Sequence, residues 1–365
     1  MRREEICIGF LSRWNATCGV SLHAELIGKE FIKNGLSIKV FAPYLNSANR
    51  WWHHIPIRAD EPFVIRCFKE TTPEGEPGSI DIDKILNEKI NGLIVESWAS
   101  LPKKDVELLV WKLRKKGIPV VAVIHEGFDK DLGYENLDMF KKIIIFHEGY
   151  KEILAGRVKE EKIEVVPYPC IPPVQRKRRF AQDGKIMFFS FGRQPIEEYE
   201  DYIEVLKELS LEYPVYYRII RSSDLLPYKY DWLEQTKKTL LLDEIYENLE
   251  KIDIHLIPKG NTTGKVVSST LCQTLGSLAI HVAPDSAYFE DIKKSCNTLP
   301  LLLYGNKKEL KDGIVRIIKE PTFRKRITKY AKRYAEENSA YKIAMRILAL
   351  IDPVFMEDIK KVVNF

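Results

Sequence analysis

The chain has 365 residues, 45% of them hydrophobic and 30% charged, and a formal net charge of +5. It is long enough for two domains with full cores, contains no apolar run near the ~20 residues of a transmembrane helix, and lacks the basic excess of a nucleic-acid binder, while anionic substrates or an anionic membrane surface stay open as partners. Its six cysteines form no C-x-x-C pair, so no metal site is expected. The first apolar stretch is broken at Arg13, too early for a signal peptide, so a cytoplasmic location is expected.

Residues 6–11 form an apolar strand that runs into the turn Asn15-Ala16-Thr17-Cys18-Gly19-Val20 and a helix over about 21–33. Further β-rich runs fall at 37–43, 63–68, 92–96, 119–125, 142–147 and 162–167, with helical stretches at 80–90, 103–116 and 148–156. Gly92-Leu93-Ile94-Val95 and Val120-Val121-Ala122-Val123-Ile124 are apolar without alternation, the pattern of parallel strands covered on both faces. The prolines at 169, 172 and 173 predict extended backbone, and 169–184 reads as a linker. A second strand, turn and helix follow at 185–191, Gly192-Arg193 and about 197–209. Strands near 215–221, 253–257, 278–283 and 299–303 come next, with helices at 243–250 and 266–275. From about 320 the chain is helical, with breaks at Pro321 and Pro353. The expected class is α/β: two Rossmann-like, doubly wound domains, 1–168 and 185–336, facing across a cleft, with closing helices over 337–365.

Open α/β sheets bind ligands outside the carboxyl ends of their strands, and this selects the candidate residues. Gly19, in the turn that also holds Asn15 and Val20, lets backbone approach a ligand at a helix start that favours negative charge; a tight turn alone would also use it. His125-Glu126-Gly127 ends a central strand, where His125 either exchanges protons near neutrality or caps the loop. His147-Glu148-Gly149 repeats the triplet at the next strand end, and Glu96-Ser97-Trp98 ends another strand at the same mouth. In the second half, Gly192-Arg193 suits bidentate phosphate contact. The stretch Lys259-Gly260-Asn261-Thr262-Thr263-Gly264-Lys265 is either a phosphate cradle at a helix start or a solvated loop. Its spacing fails the Walker pattern, which argues against a nucleotide triphosphatase. Trp51 and Trp52, beside Arg50 and two histidines, either fold back as a satellite core or form a membrane or acceptor patch.

These residues resemble those of a GT-B glycosyltransferase, similar to the large retaining family 4. Cys18-Gly19-Val20-Ser21-Leu22-His23 through Pro43 resembles the family's glycine turn, helix and second strand. Ile124-His125-Glu126 resembles its strand-end histidine, and Gly192-Arg193 matches its G-R pair. Phe146 to Leu154 with Lys162 to Pro169 resembles its passage into the linker, and Tyr330 to Leu350 its closing helix, which in that fold crosses back onto the first domain. Two features depart from the pattern. Gln194-Pro195-Ile196-Glu197-Glu198 stands where the family has a lysine, and the paired-glutamate loop is absent, its positions falling near Thr263 and Leu271.

The resemblance implies sugar transfer from a nucleotide-sugar donor to a carbohydrate, lipid-linked or small-molecule acceptor, with retention and without metal or cofactor. It implies that the donor lies mainly on the second domain, where Gly192 and Arg193 match the family pair and Thr262, Thr263, Gly264 and Lys265 are this chain's own candidates for donor contact. The acceptor side falls to the first, through Asn15, Gly19, Val20 and Trp98, with His125 and Glu126 as the catalytic candidates. Peripheral membrane contact through Trp51 and Trp52 remains open, and a Lys- and Glu-rich charge set points to a thermophilic source. Two rival readings stand beside this one: a nucleotide-sugar epimerase of the same fold, and a non-catalytic sugar- or partner-binding protein.

Overall fold

A computed structural model describes residues 6–48, 57–72, 75–96, 98–132 and 137–355. Trp51 and Trp52 lie outside the described residues, as does Ser97. Two compact units divide the chain. One takes the residues up to Pro169, the short piece Gly264–Val266 and the residues from Ala340 on; the other takes Cys170–Thr263 and Val267–Ser339.

The first unit begins β1 (Cys7–Leu11), α1 (Gly19–Lys33), β2 (Ser37–Pro43), α2 (Leu45–Ala48), β3 (Val64–Lys69), β4 (Ser79–Ile80), α3 (Ile82–Leu86) and β5 (Gly92–Glu96). It continues through α4 (Lys103–Lys115), β6 (Val120–Val123), α5 (Asp129–Leu132), β7 (Lys142–Ile145), α6 (Lys151–Leu154) and β8 (Ile163–Val165). The sheet order is β4-β3-β2-β1-β5-β6-β7-β8, parallel throughout except for β4, which pairs antiparallel with β3. β5 and β6 are buried at every position, as strands covered on both faces must be. In α1, Val20, Ala24, Ile27 and Phe31 recur at helical spacing and are all buried, so one apolar stripe docks the helix on the sheet.

The second unit runs β9 (Ile186–Gly192), α7 (Glu200–Leu209), β10 (Val215–Arg221), β11 (Leu233–Lys237), α8 (Leu242–Glu250) and β12 (Ile254–Leu256). Then come α9 (Ser269–Thr274), β13 (Ile280–Pro284), α10 (Glu290–Ser295), β14 (Leu302–Tyr304), α11 (Lys307–Lys319) and α12 (Pro321–Glu337). Its parallel order, β11-β10-β9-β12-β13-β14, is the doubly wound dinucleotide-fold order counted from its own first strand. Phe188, Tyr202, Leu206, Leu256, Ile314 and Ile317 form its apolar centre, each buried side chain contributing roughly 1.5–3 kcal/mol. The buried phenols are partnered. Tyr202 Oη donates to the Ile257 carbonyl at 2.9 Å, and Tyr217 Oη lies 2.7 Å from Ser190 Oγ.

Helix α13 (Ala340–Ile351) belongs to the first unit and packs on α1. Gly92 makes that close approach feasible, because a Cβ there would lie 2.4 Å from Ile351 Cγ2. Among the described residues no helix is long and apolar enough to cross a membrane.

Three elements differ from the sequence reading. The helix expected from Val266 starts only at Ser269, because Ser268 caps it, its Oγ accepting from Leu271 N at 3.2 Å. The helix expected over 148–156 is a 3-10 turn followed by four α-helical residues. Strand β11 carries no apolar run. It forms at a sheet edge, where the Gln235 side chain brackets the backbone of Leu226 and Tyr228.

Asp291, in the first turn of α10, is buried and its Oδ1 has no hydrogen-bond partner among the described residues. Burial pushes its carboxyl up to about 7, so it folds protonated over a range in which the unfolded chain is ionised. Stability from this group is therefore present in acid and lost as pH rises towards 7. Asp291→Asn should be close to neutral near pH 4 and stabilising by on the order of 3–4 kcal/mol at pH 8. Urea midpoints of both proteins across that range would show it; a difference that does not change with pH would refute it.

Candidate functional site

Each sheet has one place where the winding reverses, and loops diverge there to leave a crevice at the carboxyl edge. In the first unit this is the gap between β1 and β5. The loop after β1 is held from beneath. Asn15 is fully buried in a left-handed conformation with φ of 56°. Its N–H donates to Glu25 Oε1 at 3.1 Å, and its Nδ2 donates to Glu61 Oε2 at 2.9 Å. Arg58 bonds both Asn15 Oδ1 and Glu25 Oε2. Asn15 thus braces the turn from inside. Gly19 is the first residue of α1, half-buried, in a first turn with no acidic residue. Its carbonyl accepts from Tyr168 Oη at 2.6 Å, while Val20 is buried in the core stripe.

The carboxyl ends of β5 and β6 supply the most concentrated polar group. Glu96 ends β5 with a side chain wholly shut from solvent. One oxygen lies 2.9 Å from His23 Nδ1 on α1 and the other 2.6 Å from His125 Nε2 beyond β6. Burial alone would raise the Glu96 carboxyl, but the charges and hydrogen bonds of His23 and His125 outweigh it and hold the group down to about 2. An ionised carboxylate only accepts, so each histidine carries its proton on the nitrogen facing Glu96. When neutral, both rings present an opposite lone pair. His23 Nε2 is buried with no hydrogen-bond partner among the described residues, whereas the His125 side chain keeps 11% exposure. The two rings meet edge to face at 5.3 Å, and Phe146 packs on both, fixing their planes.

These three residues are also the one group among the described residues able to hold a metal ion, with donor atoms all within 4.8 Å of one another. Two imidazoles and a carboxylate suit a divalent transition metal. Bonds of about 2.0–2.2 Å in a tetrahedral zinc site would hold neighbouring donor atoms roughly 3.4 Å apart, whereas the nitrogens here lie 2.9 and 2.6 Å from the Glu96 oxygens, hydrogen-bond lengths that shared protons account for.

Two expected site residues of this unit have other duties. Glu126 is buried, and its oxygens accept from Ala99 N at 2.8 Å and His125 N at 3.1 Å, so it fixes the loop that aims His125. Trp98 is core: 1% exposed, edge-on to Phe140, with Nε1 donating to the Leu132 carbonyl at 3.2 Å. His147 Nδ1 accepts from Gly149 N at 3.1 Å and starts the short turn over 148–150.

Lys265 requires the largest correction. It does not begin a helix of the second unit but belongs with Gly264 to the first. Its N–H donates to the Gly127 carbonyl at 2.8 Å, and its ammonium pairs with Glu152 at 2.7 Å. Gly264 sits against the Phe128 ring.

In the second unit the winding reverses between β9 and β12. Gly192 ends β9 with φ of 122°, a conformation that side-chain-bearing residues rarely adopt, and turns the chain into half-buried Arg193. Lys259 follows β12 directly across the same gap, its Nζ 4.7 Å from the centre of the Tyr288 ring. Burial lowers its ammonium pKa; Glu198 opposes that shift and Arg193 adds to it, so the two cations feel each other. In the strand beside β9, Arg221, at the end of β10, is 3% exposed, its Nη1 without a hydrogen-bond partner among the described residues and its guanidinium over the Tyr199 ring. Thr262 is half-buried and Thr263 exposed. The sequence pointed to Arg193 and Lys265 for this site; Lys259, Arg221 and His23 were not singled out.

No family model matches the sequence. Solved structures resemble it in fold. A sucrose-phosphate synthase from Thermosynechococcus elongatus is 13% identical over 96% of this chain and 99% of that one, with a TM-score of 0.62. A trehalose-6-phosphate synthase, OtsA, is 9% identical over 95% and 98%, with a TM-score of 0.63. HepE of Anabaena, solved with UDP and glucose, is 12% identical over 95% and 100%, with a TM-score of 0.61. The likeness establishes the architecture, the GT-B fold built from two Rossmann-like domains.

Glu96 contributes stability that is fully present above the ordinary glutamate range and is lost as pH falls through its depressed value. Glu96→Gln should therefore cost about 3 kcal/mol at pH 7, and less with each step from pH 4.5 towards 2. Chemical denaturation of both proteins over that range measures the difference; a constant cost would show that charge pairing is not its source.

Proposed function

We propose that the chain is a glycosyltransferase that takes a sugar from a nucleoside-diphosphate donor. The observation that carries this is the pair of cations, Arg193 and Lys259, at the point where the second sheet reverses. That crevice is where doubly wound sheets bind nucleotides, and a guanidinium beside an ammonium suits a diphosphate. HepE, of like fold, was solved with UDP and glucose, which makes UDP the first nucleotide to test.

Breaking the bond between sugar and diphosphate leaves negative charge on the leaving phosphate. Arg193 and Lys259 stabilise that charge as it grows. Lys259 takes the role that the sequence reading gave to Lys265, whose ammonium is committed to Glu152. In the first unit His125, held by Glu96 and Glu126, offers a fixed lone pair to a carbohydrate hydroxyl. Gly19, at an α1 start without acidic residues, takes an anionic group of the acceptor. Retention at the anomeric carbon, chemistry without a metal, kinship with family 4 and a cytoplasmic setting complete the proposal and rest on the sequence resemblance. An epimerase would need a pair of free carboxylates. Glu126 is tied to two backbone amides, and the Glu148 side chain is 69% exposed and paired with Lys151. The absent glutamate pair keeps one rival alive, a protein that binds the donor without transferring it.

Titration calorimetry with UDP and with uridine tests the assignment. Arg193→Ala and Lys259→Ala should each weaken UDP binding by about one to two decades, the worth of a charged hydrogen bond of roughly 1.5–3 kcal/mol, and leave uridine binding nearly unchanged. Lys265→Ala should change neither. Unaltered UDP affinity in both single variants would overturn the proposal. Release of UDP from UDP-glucose on addition of a sugar phosphate would separate transfer from binding alone.

A further inference from the structure

Helix α4 buries Val106, Leu109, Val110 and Leu113 and turns its other side to solvent. That outer side is not the usual mixture of charges. Leu108 is 44% exposed and Trp111 57% exposed, three residues apart and so neighbours on one face. Lys104 lies one turn before Leu108, and Lys115 one turn after Trp111, with its Nζ 5.5 Å from the ring centre. Lys112 and Arg114 flank the pair. Glu107, Val110, Trp111, Arg114, Lys115 and Met139 line a concavity on this side.

The charges of this face are also unmatched. Elsewhere the exposed helices are laced with ion pairs, such as Lys311 with Glu208, Arg316 with Glu320 and Arg333 with Glu337. Lys104, Lys112, Arg114 and Lys115 have no acidic partner among the described residues. Of the two acids on the helix, Asp105 is turned away to cap Ile80 N at 2.8 Å, which leaves Glu107 alone on the outer side.

We propose that this face of α4 docks on an anionic lipid surface, independently of the reaction proposed above. Trp prefers the boundary between headgroups and acyl chains, Leu108 adds apolar area beside it, and lysines around them reach back to lipid phosphates. A second copy of the chain fits poorly, since pairing the face with itself would bring four cations against four. A nucleic acid would use the cations but leave the apolar centre without a contact.

Flotation with vesicles tests the proposal. The protein should bind vesicles of phosphatidylcholine mixed with phosphatidylglycerol, bind pure phosphatidylcholine weakly, and release in high salt. The double variant Lys112→Glu, Lys115→Glu and the single variant Trp111→Ser should each lose at least about tenfold in binding, with unchanged thermal melting, because all three side chains lie outside the core. Equal binding to both vesicle types, or α4 variants that bind as the parent does, would overturn it. A loss seen only with Trp51→Ser, Trp52→Ser would move the contact to that patch and overturn it too. So would a dimer in light scattering that Trp111→Ser dissolves.

Discussion

A parallel sheet wound outward in both directions from one strand cannot close its own carboxyl edge. The crossover helices on either side of that strand go to opposite faces, and the loops that feed them part. Both sheets of this chain are built so, from β1 and from β9, and in both the polar residues that the core could not absorb collect at the parting. Topology thus decides where chemistry can be, before any side chain is chosen. The side chains then decide what kind: two histidines on one carboxylate in the first unit, a guanidinium near an ammonium in the second.

The two clusters solve opposite electrostatic problems. Glu96 is a buried anion that stays charged because two imidazoles surround it, and removing either would leave one of its oxygens buried without that partner. Lys259 is a cation that burial already penalises, and Arg193 raises that cost further. A protein gains nothing in stability from such a grouping, and Tyr288 under Lys259 softens it only in part. Such a grouping, unfavourable for folding, is what the proposed diphosphate site would call for.

Much of the layout was legible in the sequence because parallel strands advertise themselves. The unbroken apolar runs of β5, β6 and β9 have little else to be, and the turns that follow them bring Gly19, His125 and Arg193 to strand ends. His23 could not be found that way. It sits one turn into α1 between Leu22 and Ala24, where a buried polar residue leaves no periodic trace, and its value lies in a partner 73 positions further on. Lys259 and Lys265 share one loop, and nothing in its composition says which of them the strand end will hold. Trp98 and Trp111 are equally conspicuous in sequence, yet one is core and one is exposed. Trp98 lies in a 3-10 turn before α4 and is held by Leu132 and Phe140, while Trp111 lies on the outer side of α4, and neither placement is local information.

The first unit is not contiguous in the chain. Its α13 covers α1 and the start of β5, and Gly264–Val266 lies against the loop after β6, yet both are separated from Pro169 by long stretches of the second unit. A ribosome therefore delivers every strand of the first sheet long before the helix that seals it. During synthesis the surface around Gly92 and the outer side of α1 stay open to water until the second unit has emerged. A gene cut at the boundary after Pro169 would encode that unfinished state permanently. Evolution could exchange neither half as a simple block, since each inherited first unit needs a tail carried at the far side of the second.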